Sequence, residues 1–321
     1  MIHTGLNLAN ALRRLKPAQL RLMAALGDGD ELGRCAERIG VSQPAASRLL
    51  AEMEDLLGLP LHERQGRGLR LSVAGLALAR RAARIQIELA DAAREVAEAA
   101  TGSAGTVRVG AVTGPALSIV MPAIVELQES FPSILVEVTV ATSVALCEQL
   151  RAGHIDFALA RPGANDLMLE ARLIGDEPLS FAVRRGHPLV MLPEIRIDDL
   201  LAYDWILGPD DTLLTQTVMT RLAELNLPAP KRRISTSSFL FTLAVLNQTN
   251  AIAPLARPVV DSFSGNPSMP FVALPTDLGL NVAPFSMVTR IDARLTPSAQ
   301  RLKEAILART DAGRPGQNLN R

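Results

Sequence analysis

The sequence predicts a mixed α/β protein: an N-terminal winged helix-turn-helix, a long linker helix and an α/β C-terminal half. Three textures predict it. Residues 1–71 carry short helical patterns broken by turns, and residues 72–101 form one Ala-rich amphipathic stretch. From Thr106 to about Arg309, short apolar runs alternate with helical ones.

The chain has 321 residues, enough for two or three domains, and is 48% hydrophobic and 21% charged. Those values exclude a disordered or fibrous chain. No apolar run reaches the ~18 residues of a membrane span, and the first thirty residues lack the order of a signal peptide. A cytoplasmic protein without a membrane partner is therefore expected. Net charge is zero, so any nucleic acid must be held by a local patch. Cys35 and Cys147 are too few for a disulfide framework, and both sit in apolar helical surroundings as buried structural thiols.

The elements follow in order. Pro17 starts a helix with Leu22, Met23 and Leu26 as apolar positions, and Gly27-Asp28-Gly29 stops it. Asp30 is placed to cap a short helix, Glu31–Ile39, which ends at Gly40. Ser42 is an N-cap for the next helix, and Pro44 is tolerated in its first turn. Leu49, Leu50, Met53, Leu56 and Leu57 continue as a buried stripe up to Gly58.

Two short helices joined through Gly40-Val41-Ser42 make a helix-turn-helix. Ser42, Gln43, Pro44, Ala45, Ser47 and Arg48 lie on the leading side of the second helix. Gln pairs bidentately with adenine, Arg with guanine or phosphate, and Pro44 and Ala45 suit a thymine methyl. Leu61–Leu71 reads as strand, Gly-containing turn and strand: a wing with Arg64, Arg67 and Arg70 near its tip. From His62 to Arg84 there are six Arg and one acidic residue, a local basic patch on a neutral chain.

In the long stretch, Leu78, Ala82, Ile85, Leu89, Ala92 and Val96 are spaced 4, 3, 4, 3, 4, opposite Arg80, Arg84, Glu88, Asp91, Glu95 and Glu98. That is a coiled-coil seam on a helix about 40 Å long, which predicts a dimerisation helix, the alternative being a helix packed on its own domain. Thr101–Gly105 then forms a break of small residues.

In the second half, strands are expected at Val107–Val112, Leu135–Val140, Ile155–Ala160, Leu179–Val183, Trp205–Leu207 and Ala251–Ala253. Helices are expected at Pro115–Glu129, Ser143–Ala152, Asp211–Glu224, Ser237–Gln248 and Ala256–Phe263. Their alternation predicts parallel β-α-β units, whose ligands bind where strands end and helices begin. The polar residues there are Thr113-Gly114, Thr142-Ser143, Arg161-Pro162 and Thr236-Ser237-Ser238-Phe239. Ser and Thr at such places also serve as simple helix caps. Arg161, a charge directly after a buried strand, either clamps an anionic ligand or pairs with Asp156 or Glu170.

No catalytic constellation is present: no G-x-S-x-G, H-E-x-x-H, Walker loop or dinucleotide fingerprint. His3, His62, His154 and His187 are scattered without metal-ligand spacing, so neither enzyme, metal nor cofactor is expected.

The residues also resemble a family. Cys35–Arg48, then Glu54, Gly58, Leu61, Arg64, Leu71 and Gly75, are similar to the winged helix-turn-helix of LysR-type transcriptional regulators. Two positions depart from it. His62 stands where the family usually has Phe, which implies looser wing packing, and Asp30-Glu31 replaces a Ser before the second helix. Cys147–Leu159, Glu177-Pro178-Leu179 and Arg184–Leu189 extend the resemblance into the second half.

The implied fold there is like type 2 periplasmic binding proteins: two α/β lobes joined by two crossing strands, with an effector in the cleft. The domains so expected are 1–71 for DNA binding, 72–101 as linker, 102–310 for effector binding and a flexible tail at 311–321. Lobe I would comprise about 105–177 plus 279–310, and lobe II about 178–278. Carried over by position, Thr113, Gly114, Thr142, Ser143, Arg161, Pro162 and Thr236–Phe239 line the cleft.

The resemblance implies a regulator of double-stranded DNA at an inverted repeat. It also implies dimers through the linker helix that assemble into tetramers, with contact to RNA polymerase admitted. A sugar-related or an organic or aromatic acid metabolite is the expected effector. The alternative is a cytoplasmic solute-binding protein, which should not bind DNA.

Overall fold

The computed structural model describes residues 8–65, 68–101, 105–164, 166–264, 271–276, 279–291 and 293–312. Contacts divide the chain into two units, Met1–Ala100 and Thr101–Arg321. Arg67, the small-residue break at 102–104 and the tail from 313 lie outside the described residues. Among those described, no helix is long and apolar enough to cross a membrane.

The first unit runs α1 (8–12), α2 (Pro17–Gly27), α3 (Leu32–Arg38), α4 (Gln43–Leu57), the antiparallel hairpin β1 (His62–Gln65) and β2 (Gly68–Leu71), and α5 (Val73–Thr101). Pro17 begins α2, where its missing N–H leaves no bond unmade. Ser42 caps α4 by accepting from the Ala45 N–H at 3.4 Å, and Gly58 ends it at φ 66°, a left-handed conformation that a side chain would strain. Asp30 does not cap α3. Glu31 holds that position without a side-chain bond, and Asp30 pairs instead with Arg38 at 2.9 Å. Arg38 also reaches Asp28 at 2.8 Å, and two carboxylates on one guanidinium outcompete a single amide bond.

One core holds the unit: Leu22, Met23 and Leu26 of α2, Cys35 and Ala36 of α3, Ala46, Leu50 and Met53 of α4, then Leu61, Leu71, Ala79 and Ala82. α5 enters this core at a close approach. A Cβ on Gly75 would sit 2.0 Å from the Leu61 carbonyl oxygen, so only glycine fits there. Ser72 secures the junction, its Oγ donating to the Pro60 carbonyl at 2.7 Å and accepting from the Gly75 N–H at 3.0 Å.

The predicted seam of α5 thus splits in two. Ala82 packs against its own unit, whereas Ile85, Leu89 and Val96 are 41, 56 and 69% exposed. The apolar spacing therefore serves two surfaces in succession, one internal and one turned outward.

The second unit is built on β3 (Thr106–Ala111), β4 (Leu135–Val140), β5 (Phe157–Ala160), β6 (Leu169–Arg184), β7 (Trp205–Leu207), β8 (Arg233–Ser235), β9 (Ala253–Ala256), β10 (Phe271–Ala273) and β11 (Asn281–Arg290). Its helices are α6 (Thr113–Pro115), a π-helical turn (Ala116–Val120), α7 (Met121–Ser130), α8 (Ser143–Arg151), α9 (Ile197–Leu201), α10 (Leu213–Glu224), α11 (Phe239–Gln248), α12 (Arg257–Ser264) and α13 (Pro297–Ala312). β3 pairs in parallel with β4 and β5, and β7 with β8.

The expectation of parallel β-α-β units is corrected for the strands expected at Leu179–Val183 and Ala251–Ala253, because β6 and β9 pair antiparallel, as do β10 and β11 with their neighbours. β6 and β11 are long strands that serve both lobes. Leu169–Ile174 and Phe285–Arg290 close the first sheet, while Leu179–Arg184 carry β9 and β10 in the second.

Each lobe has its own core. Val107, Val109, Phe157, Leu159, Met287 and Leu302 fill the first, and Phe181, Trp205, Val218 and Leu222 the second. Within the first, Asp156 bonds the Arg108 N–H and guanidinium at 2.8 and 2.9 Å, fixing β5 against β3.

Candidate nucleic-acid interface and effector cleft

On α4, Ala46, Leu50 and Met53 face inward, one helical stripe at i, i+4, i+7. The opposite face is therefore fixed outward. Ser42, Gln43, Pro44, Ser47 and Arg48 are exposed, with Ala45 half-buried. Arg48 makes no ion pair among the described residues, and Arg70, exposed on β2, makes none either. Arg64 lies on β1, its backbone opposite Leu69.

The wing is tied to α4 by a residue whose role sequence reasoning missed. Glu54 Oε1 accepts from the Leu61 N–H at 2.6 Å and the His62 N–H at 3.2 Å, and lies 2.9 Å from His62 Nδ1. Burial by itself raises the Glu54 pKa. The bonds from Leu61 and His62 outweigh it, and the net shift is downward, towards a carboxylate. An imidazole at this place thus gains a polar partner, Glu54, that a Phe side chain would lack.

In the second unit, Gly114, Ser143 and Arg161 converge where β5 ends and β6 and β11 cross. Ser143 Oγ accepts from the Arg161 N–H at 3.1 Å. The guanidinium bonds Glu177 of β6 and the Ala283 carbonyl of β11. Neither partner considered from sequence is used: Asp156 serves Arg108, and Glu170 is exposed. Glu177 also approaches the first turn of α6, where a Cβ on Gly114 would lie 2.1 Å from its Oε1. Its signal in the sequence is an acidic residue leading an apolar strand, Glu177-Pro178-Leu179.

Of the remaining candidates, Thr142, Thr236 and Ser238 bond nearby backbone N–H groups at helix starts. Thr142 caps α8 through the Ala145 N–H at 3.4 Å. Thr113 is exposed at the start of α6, and Pro162 is half-buried. On the second lobe, Thr236 Oγ1 accepts from the Ser238 N–H at 3.1 Å and Ser238 Oγ from the Phe241 N–H at 3.2 Å, leaving Ser237 exposed. Phe239 stacks 6.2 Å from Phe263. No hydrogen bond joins this group to Arg161 among the described residues. The π-helical turn after α6 packs against α12 of the second lobe, and such turns recur at functional sites.

Both buried thiols are held above their ordinary pKa, chiefly by burial. No cluster of metal-ligating side chains occurs among the described residues.

Comparison with known proteins agrees with this architecture. Residues 17–76 match the bacterial regulatory helix-turn-helix protein of the LysR family, and residues 100–311 match the LysR substrate binding domain. The chain is 37% identical over 256 residues to the HTH-type transcriptional regulator GbpR of Rhizobium radiobacter, covering 77% of this chain and 83% of the relative. It is 34% identical over 301 residues to GbpR of Azospirillum brasilense, covering 93 and 87%. Among solved structures, ArgP from Mycobacterium tuberculosis superposes with a TM-score of 0.64 at 18% identity, covering 93 and 98%. The chain belongs to the LysR family of transcriptional regulators, with a DNA-binding helix-turn-helix and a domain that binds a small-molecule effector.

Proposed function

We propose that this regulator reads an inverted-repeat operator with Ser42, Gln43, Pro44, Ala45, Ser47 and Arg48, while Arg64, Arg67 and Arg70 hold phosphates beside the wing. The observation that carries the reading is the outward face of α4, whose Arg48 is exposed and without an ion pair among the described residues, above a buried stripe. The exposed Ile85, Leu89 and Val96 of α5 support pairing of two chains, and tetramers assemble from such dimers. The effector sits at Thr113, Gly114, Thr142, Ser143, Arg161, Pro162 and Thr236–Phe239 in residues 102–310, and shifts DNA binding because one arrangement of the oligomer binds it better. The protein acts in the cytoplasm, by binding rather than catalysis.

The test is capture. Purified protein is incubated with fragmented DNA from its source and excess competitor, and the retained DNA is sequenced. Enrichment of a few sites sharing an inverted repeat is expected. Uniform retention would reduce the first unit to non-specific DNA contact.

A further inference from the structure

The cleft residue with the greatest reach is already spoken for by its own chain. We propose that Glu177 is a built-in counter-anion for Arg161, so that the effector cleft takes an uncharged, hydroxyl-rich molecule and turns carboxylates away. This rests on the cleft reading above.

Arg161 is the cation an anionic effector would meet at the end of β5. Its guanidinium donates to Glu177 through Nη2 and to the Ala283 carbonyl through Nε, and its own N–H donates to Ser143. The two side chains are 12 and 9% exposed, so the pair is withdrawn from water. A ligand carboxylate brought to Arg161 would share one guanidinium with the Glu177 carboxylate, placing a second negative charge beside the first with a single positive charge between them.

Gly114 is the second observation. The Glu177 carboxylate fills the space over the first turn of α6, and a side chain on Gly114 would collide with it at 2.1 Å and with the Ala256 Cβ at 3.0 Å. Two lobes meet there around a charge the chain itself supplies. The other candidate groups, Thr113, Thr142, Ser143, Thr236, Ser237 and Ser238, are hydroxyls. A hydroxyl both donates and accepts, which complements another hydroxyl; it offers a carboxylate one neutral donor and no countercharge.

The experiment uses full-length protein and thermal-shift titration with neutral hexoses and pentoses on one side, succinate and benzoate on the other. Wild-type protein is expected to respond to members of the neutral set and not to either carboxylate. Glu177→Gln keeps the shape and hydrogen bond but frees one positive charge, and should raise carboxylate affinity about tenfold or more. The double variant Arg161→Gln/Glu177→Gln restores neutrality and should lose that gain; it also serves if the single variant folds poorly, since it should then keep the wild-type preference for neutral probes. A wild-type response to a carboxylate that disappears in Arg161→Gln overturns the inference while the cleft stands. So does a folded Glu177→Gln protein without new carboxylate binding. A ligand whose effect survives Ser143→Ala, Arg161→Gln and Glu177→Gln alike removes the cleft reading itself.

Discussion

Arg48 and Arg161 are the same residue in opposite circumstances, and the difference separates what the two units do. Arg48 stands exposed on α4 with no ion pair among the described residues, so its charge is available to a phosphate or guanine brought from outside. Arg161 stands at the crossing of β6 and β11 and is neutralised by Glu177. A guanidinium in solvent costs the fold little and can be removed with little structural effect. One buried against a carboxylate belongs to the fold, and its removal strands a charge. Exposure and pairing, rather than residue type, decide which arginines recognise and which organise.

The comparison is most severely tested at Arg161. Arg161→Ala leaves Glu177 buried and unpaired, which costs about 3–5 kcal/mol. Thermal unfolding should therefore show a large loss confined to the second unit. Operator binding at low temperature should persist, and the effector response should vanish. A melting temperature equal to wild type would mean that the pair contributes nothing to the fold.

Gly75→Ala is the corresponding attack on the first unit. The added Cβ meets the Leu61 carbonyl at 2.0 Å, and neither backbone can yield without moving the wing from α5. Overpacking of this kind costs about 1–3 kcal/mol, with this contact near the upper end. Loss of DNA binding together with stability is expected in calorimetry and gel shift. Wild-type stability would show that α5 slides freely past the wing.

Arg48→Ala should do the reverse of both: no change in melting, and a loss of about 1–3 kcal/mol in operator affinity if it reads a base. If Arg70 is a phosphate contact, Arg70→Ala should weaken all DNA alike and lower the salt slope by about one. Equal affinities for operator and scrambled DNA in wild type and Arg48→Ala would take Arg48 out of the readout.

The ease of reading these two sites in the sequence also differed, for a physical reason. α4 and its wing were legible because their constraints are local. Ser42 as cap, the apolar spacing through Leu50 and Met53 and the Gly58 stop all act within one helix, so spacing exposes them, although Ala46 completes the buried stripe and Leu49, Leu56 and Leu57 are only half-buried. The sheet of the second unit was legible only in its apolar strands. The first half of β6, Leu169–Gly175, is mostly exposed and reads as polar chain, yet it pairs with β11 over a hundred residues away. Glu177 escaped for the same reason: its partner Arg161 and its close neighbour Gly114 are brought to it by β5 and α6, not by sequence spacing. The partner of His62 was hidden likewise, because Glu54 lies on a different element.

The smallest effect expected comes from a charge that never forms. His187 is fully buried, stacked 4.5 Å from Tyr203. The Leu189 N–H donates to its Nδ1 at 3.1 Å, which leaves Nε2 to carry the proton and donate to the Asn250 carbonyl at 3.0 Å. The ring is thus held as the neutral tautomer. Burial lowers its pKa, nearby Arg184 lowers it further, and the Asn250 bond only partly opposes them. The sign follows. Above about pH 6.5 folded and unfolded states both carry neutral histidine, and this group makes no pH dependence. As pH falls below that value the unfolded chain takes up a proton that the native ring refuses, so stability declines towards the folded pKa. His187→Gln can keep an amide donor and removes the titration. Its unfolding free energy should therefore fall less steeply between pH 6.5 and 5 than that of wild type, whatever its absolute value. Equal slopes would show that the native ring accepts the proton, making His187 behave like an exposed histidine rather than as a buried neutral member of the second lobe.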